Sequence, residues 1–183
     1  MKIVGLSGSL RRASFNTALL SAAAGLMLAG AELTVETLHG IPLYDGDLEA
    51  AEGIPPAVAA LKDRIAAADA LLMVSPEYNN AMPGVFKNAI DWLSRPPTDA
   101  ARVFAGRKVA LIGASPGGFG TILAQNAWLP VLRTLGLDLW TGGRLMVSRA
   151  GGVFDAAGTL TDAAVEKQLR DYLAGFVAFV GRG

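Results

Sequence analysis

The sequence predicts an α/β fold, a doubly wound five-stranded parallel sheet with helices on both faces. Three observations predict it. Short apolar runs alternate with helical patterns from one end of the chain to the other, the βαβαβ order that builds a parallel sheet. The run Ala70-Leu71-Leu72-Met73-Val74 is continuously apolar, as a central parallel strand covered on both faces must be. Finally, three polar or glycine-rich loops, residues 7–16, 75–84 and 113–120, each leave the end of an apolar strand. Right-handed crossovers bring such strand ends to one edge, where open α/β sheets bind ligands.

The elements follow in order. Ile3, Val4 and Leu6 form a first buried strand, and an Ala/Leu-rich helix begins near Asn16. Residues 33–38 alternate apolar and polar, as an edge strand does, and 41–54 read as irregular around Pro42, Gly46 and Gly53. Pro55-Pro56 opens a helix to about residue 68, and after the central strand a helix spans 85–94 and stops before Pro96-Pro97. Residues 109–113 are another buried strand. The helix after the third loop runs to about 135, with a kink predicted at Pro130. Residues 137–140 and 145–148 supply the last strand material. Thr161 is the predicted cap of a C-terminal helix with Glu166 in its first turn. No repeat or linker divides the chain, so residues 1–183 are expected to form one domain.

Composition removes several function classes. Sixteen basic and sixteen acidic residues cancel, so bulk charge gives no reason to expect binding to nucleic acid or to an anionic membrane. Without cysteine there is no disulfide, thiolate metal site or cysteine nucleophile. The single histidine, His39, reads as loop punctuation, and no metal site is expected around it. Arg11-Arg12 followed by an apolar stretch imitates a twin-arginine export signal. Cleavage there would remove the first strand and its loop, so a cytoplasmic location is expected.

The first loop carries the strongest chemical signal. A strand-loop-helix junction gathers free N–H groups at the positive end of the helix dipole, where a phosphate can sit. Ser7, Ser9, Ser14 and Thr17 add hydroxyls, and Arg11 adds a planar fork suited to a dianion. Neither a Walker Gly-Lys-Ser/Thr nor the G-x-G-x-x-G pattern is present, which points to a terminal phosphate rather than a pyrophosphate. A polar turn is the alternative for this loop taken alone. In the second loop Pro76 and Pro83 restrict the backbone, while Tyr78 and Asn79 offer a flat ring and an amide suited to a planar heterocycle. The glycines of the third loop let backbone amides approach a ligand closely.

Together these segments resemble the NADPH-dependent FMN reductase family, flavodoxin-like quinone, chromate and azo-compound reductases. The matching residues are Gly8-Ser9-Leu10-Arg11 with Ser14 and Asn16, Ile41-Pro42-Leu43-Tyr44 with Asp47, and Pro76-Glu77-Tyr78-Asn79 with Pro83-Gly84. The run 86–94 and Gly117-Gly118 complete the match. The resemblance implies non-covalent FMN, with its phosphate on Ser9, Arg11, Ser14, Asn16 and Thr17. Pro76, Glu77, Tyr78 and Asn79 would line the ring and ribityl chain, and Ser115, Gly117 and Gly118 would donate to the ring's polar edge. It implies NADPH or NADH as co-substrate, small-molecule electron acceptors such as quinones, a ping-pong cycle, and a homodimer or homotetramer. Tyr44, Asp47, Asp91 and Trp92 are candidates for a subunit contact, though helical spacing makes the 86–94 run chiefly core. Several family members carry an arginine about where Leu129 stands; the apolar Trp128-Leu129-Pro130 departs from that, which bears on the tetramer contact or steering charge expected there. No protein side chain is expected to be catalytic, since the flavin carries the chemistry. The rival readings are a flavodoxin-type electron carrier, disfavoured by the neutral charge, and a flavin-free sensing domain on the same fold.

Overall fold

The computed structural model describes residues 1–182. Six parallel strands occupy five sheet positions. These are β1 (Lys2–Ser7), β2 (Glu32–Thr37), β3 (Ala70–Val74), β4 (Lys108–Ala114), β5 (Asp138–Leu139) and β6 (Leu145–Val147). The order is β2-β1-β3-β4-β5, and β6 pairs with β4 beyond β5. The last position is therefore one strand in two pieces: β5 lies against Lys108 and Val109, and β6 against Ile112 to Ala114. The intervening Gly142-Gly143 turn folds over Trp140, which breaks the ladder between them.

Alternation along the strands sets the two faces. Ile3, Leu72, Val74, Ala110 and Ile112 pack against α1 (Phe15–Gly25) and α7 (Ala163–Val180) through Leu19, Leu20, Leu173 and Phe176. Val4, Leu6, Leu71, Met73 and Val109 face the other way, onto α3 (Pro56–Ala66), α4 (Gly84–Leu93), α5 (Pro97–Phe104) and α6 (Ile122–Thr134). The central strands β1, β3 and β4 thus have two buried faces, the arrangement that continuous apolar runs require, whereas the edge strand β2 buries only Leu33. Among the described residues, no helix is long and apolar enough to cross a membrane.

The expected elements form, with four differences. The irregular stretch 41–54 contains a short helix, α2 (Gly46–Glu52), capped by the Asp45 carboxylate accepting from the Asp47 N–H (2.9 Å). Helix α5 begins with proline at its first position, which needs no N–H there. Helix α6 runs through Pro130 to Thr134 as one element, in keeping with the expected end near 135. The cap of α7 is Asp162, which accepts from Ala164 and Val165, whereas the Thr161 hydroxyl turns back to the Val153 carbonyl. The fifth strand is split, as described above.

Candidate functional site

The three strand-end loops meet at the carboxyl edge of the sheet, and specific bonds hold them there. The amide of Gly8 donates to Val74 of β3, and a Cβ at Gly8 would meet Phe86 and stand 2.9 Å from Pro76. Only glycine lets the first and second loops come this close. A Cβ at Gly113 would likewise collide with the Ser75 carbonyl and the Thr121 side chain, so glycine there seats the second loop against the third.

The first loop ends at Ser14, whose hydroxyl caps α1 by accepting from Asn16 (3.2 Å) and Thr17 (3.3 Å). Ser9 is buried and its hydroxyl accepts from the Arg11 N–H (3.3 Å). Among the described residues, no acceptor takes the N–H groups of Ser9, Leu10, Arg12 or Ala13. Unpartnered amides at a helix N-terminus form a nest for an anion. The Arg11 guanidinium lies 5.2 Å over the Phe15 ring, which stacks on Phe154 (centroids 6.0 Å), and it remains exposed beside the nest. The Thr17 hydroxyl is within 2.8 Å of the Ser7 hydroxyl.

Asn16 also has a structural task. Its side chain is buried and grips the backbone of Ala114 in both directions, donating to the carbonyl (2.8 Å) and accepting from the N–H (2.9 Å). The carboxamide therefore ties the first loop to the third. Glu77 is a second such tie. One of its carboxylate oxygens accepts from Leu123 and Ala124, both at 2.9 Å, and so caps α6, whose own cap residue Thr121 makes no side-chain cap bond. A carboxylate suits that position by hydrogen bonding and by the helix dipole. His39 is a third tie, more than punctuation. Its Nε2–H donates to the Leu10 carbonyl (3.2 Å), and Nδ1 meets the Thr37 hydroxyl (3.1 Å).

In the second loop Pro76 is buried, with Ser75 beneath it accepting from the Trp128 indole (2.9 Å). Tyr78 and Ala81 exchange backbone bonds across Asn79 (φ 50°) and Asn80 (φ 62°), a tight turn with two left-handed residues. Asparagine tolerates that conformation best among residues with a side chain. The turn leaves the Tyr78 ring half exposed and Asn79 at the tip. In the third loop Ser115 accepts from the Gly117 N–H (3.0 Å), which occupies one of the amides expected to face a ligand. Gly118 is exposed, and its N–H has no partner among the described residues.

One residue beside this edge escaped the sequence reading. Arg149 follows β6, donates its N–H to the Gly117 carbonyl (3.0 Å), and places a guanidinium nitrogen 4.0 Å from where a Gly118 Cβ would stand. Its only sequence signal was its position after the last strand. A cavity of about 420 Å³ between Leu129, Trp140 and Arg144 shares no lining residue with the three loops. Among the described residues, no cluster of His, Asp or Glu is placed to hold a metal ion.

An anion nest at a helix start, a half-exposed tyrosine and a cradle without side chains at Gly117 and Gly118 fit FMN, with phosphate at one end and ring at the other. The sheet order and this edge define the class: a flavodoxin-like protein. Solved structures agree on the fold, including a Bacillus cereus flavodoxin at 14% identity, with a TM-score of 0.60 and coverage of 97% of this chain and 98% of that one. Residues 1–152 match the model of the NADPH-dependent FMN reductases, and the chain belongs to that family. It is 42% identical to an NAD(P)H-dependent FMN reductase of Pseudomonas aeruginosa over 182 residues, covering 100% of this chain and 96% of that protein. It is 37% identical to a 2-hydroxy-1,4-benzoquinone reductase of a Burkholderia species, with coverage of 98% and 96%. The flavoenzyme NAD(P)H:acceptor oxidoreductase FerB of Paracoccus denitrificans superposes with a TM-score of 0.87 at 32% identity, covering 99% of this chain and 97% of that one.

Proposed function

We propose that this chain is an FMN-dependent NAD(P)H oxidoreductase acting on quinones and similar small electrophiles such as azo compounds, chromate or free flavin. The observation that carries the reading is the meeting of the unpartnered amides of the first loop with the braced second and third loops at one sheet edge. FMN bound there would supply the two-electron redox chemistry between NAD(P)H and the acceptor.

The residues hold, orient and shield. Backbone amides of residues 9–13, the Ser9 and Ser14 hydroxyls and the Arg11 guanidinium would hold the phosphate. Thr17 and Asn16 set the shape of that loop through Ser7 and Ala114. Pro76 and Tyr78 would wall the ring, with Asn79 at the rim and Glu77 fixing the wall to α6. Ser115 and Gly118 would face its polar edge, and Gly117 shapes the turn that brings them there.

The working unit is the single domain 1–183, placed in the cytoplasm and assembled as a homodimer or homotetramer, with no nucleic-acid or membrane partner. The test is an absorption spectrum of the purified protein, followed by anaerobic addition of NADH and NADPH. A flavin spectrum that bleaches with either nucleotide and recovers with a quinone, in steady turnover, supports the reading. A colourless protein that ignores added FMN overturns it, and a bound flavin without turnover makes the chain a carrier.

A further inference from the structure

Ten of the described residues have left-handed backbone angles. Seven are glycines, two are the turn asparagines Asn79 and Asn80, and the tenth is Arg149 (φ 48°, ψ 41°). A long side chain in this region carries a steric cost that glycine avoids. Local strain of this kind, held in place by its surroundings, gathers at functional sites.

The surroundings do hold it. The Arg149 N–H donates to Gly117, its carbonyl accepts from Gly152 (3.0 Å), and the next N–H, that of Ala150, donates to Ser115 (3.1 Å). Glycine would make all three bonds without strain, so what arginine adds is its guanidinium. That group is exposed, forms no ion pair among the described residues, and lies over Gly118 at the lip of the third loop. With no side chain at Gly117 or Gly118, nothing from that turn stands between the fork and the cradle. The neighbouring Gly117 amide, meanwhile, is already taken by Ser115.

We propose that Arg149 is a catalytic residue that meets the negative charge arising on the N1–O2 edge of the flavin ring during reduction. The proposal rests on the flavin reading above. Hydride transfer moves two electrons and one proton from the nicotinamide C4 to flavin N5. The nicotinamide leaves in its oxidised form, and the ring keeps one extra negative charge at N1 and O2. A planar, permanently charged fork matches that two-atom edge better than a single amide does.

The test compares wild type, Arg149→Gly and Arg149→Lys by FMN titration, by the midpoint potential of the bound flavin and by thermal melting without flavin. Arg149→Gly is expected to melt higher, because it removes the strain, and still to bind FMN. Its equilibrium ratio of reduced to oxidised flavin should fall about tenfold at a given poise, which a two-electron couple reads as about 30 mV. Arg149→Lys should retain part of the difference. An unchanged potential in Arg149→Gly overturns the proposal, and so does a rise in KM for NADPH alone, which would assign the arginine to the nucleotide's phosphate. Loss of FMN binding in that variant makes Arg149 a holding group and also overturns it. Failure of the wild-type chain to bind FMN is a separate result, which sinks the flavin reading itself.

Discussion

Asn16 shows how one buried side chain can brace two loops at once. Both hydrogen bonds to Ala114 are buried, so Asn16→Ala leaves a backbone N–H and a C=O unsatisfied inside the protein. Each such group costs about 1–3 kcal/mol, and urea unfolding should register a loss of about 2–4 kcal/mol. Asn16→Asp should be nearly as harmful, since a carboxylate accepts from the N–H but has nothing to give the carbonyl. A variant within 0.5 kcal/mol of wild type, on the order of an ordinary surface change, would remove the tie from the account. Arg11 behaves differently because it is exposed and packs only against Phe15. Arg11→Ala should leave the fold intact while weakening FMN retention roughly tenfold or more, the loss expected for one charge-assisted hydrogen bond. Fluorescence titration with FMN measures it, and unchanged affinity would exclude Arg11 from the phosphate site.

The helices opposite α1 and α7 are fastened by charge as well as by apolar packing. Lys62 of α3 has a side chain only 3% exposed, and its ammonium pairs with Asp99 of α5 (2.6 Å) and donates to the Arg95 carbonyl. Arg102 closes the group by bonding both Asp99 (2.6 Å) and Asp63 (3.0 Å). Hydrogen bonds from Arg102 and then Lys62 hold the Asp99 carboxyl far below the usual carboxylate range. A lowered folded-state value means that its contribution is complete above the unfolded carboxylate range, near pH 4, and fades as the pH falls toward the folded value. Asp99→Asn removes the counter-charge of a buried ammonium that keeps its bond to the Arg95 carbonyl, a change worth roughly 1–3 kcal/mol because Asp99 is itself partly exposed. The melting-temperature gap between wild type and variant should therefore be full at pH 7 and narrow progressively below pH 4; a constant gap would refute the role given to Asp99. Little of this clamp was legible beforehand. Proline at its first position, Asp99 early and Arg102 late are fair helix signals for α5, but Pro96-Pro97 read as the stop of the preceding helix rather than the start of a new one. Helix α2 was hidden in the same way by Gly46 and Gly53, which read as turn residues. The central strand β3, in contrast, was legible to its exact ends because burial on both faces leaves no polar position to blur it. In the site, residue types were legible and their partners were not. Nothing in the local sequence says that Glu77 reaches α6, or that Asn16 reaches a residue 98 positions away.

At the scale of the whole molecule, several large apolar residues stand on the surface. Leu43 is 80% exposed and Phe119 87%, with Tyr78, Ile122, Leu123 and Leu129 exposed as well. Leu43 is also held rigidly. The preceding Pro42 carbonyl accepts from Asn88 (2.8 Å) and the Trp92 indole (2.9 Å), and the following Tyr44 N–H donates to Asn88 (2.8 Å). Trp92 is thereby fully buried within the protomer and packs edge-on beneath Tyr44, so it supports this surface rather than forming it. The Tyr44 hydroxyl donates to Glu49 (3.0 Å), which also takes a bond from Arg95 (2.8 Å) and fixes α2 to the end of α4. A leucine whose backbone is fixed before contact loses less freedom on burial, so Leu43 is the residue to test as an anchor for a second copy of the chain. In sedimentation the wild type should show two or four times the 18.9 kDa of one chain. Leu43→Glu places an unpaired charge at the anchor and should move the protein toward monomer, with its melting curve at low concentration unchanged in shape. A wild type that sediments as one chain would leave Leu43 a plain surface leucine and the assembly reading without support.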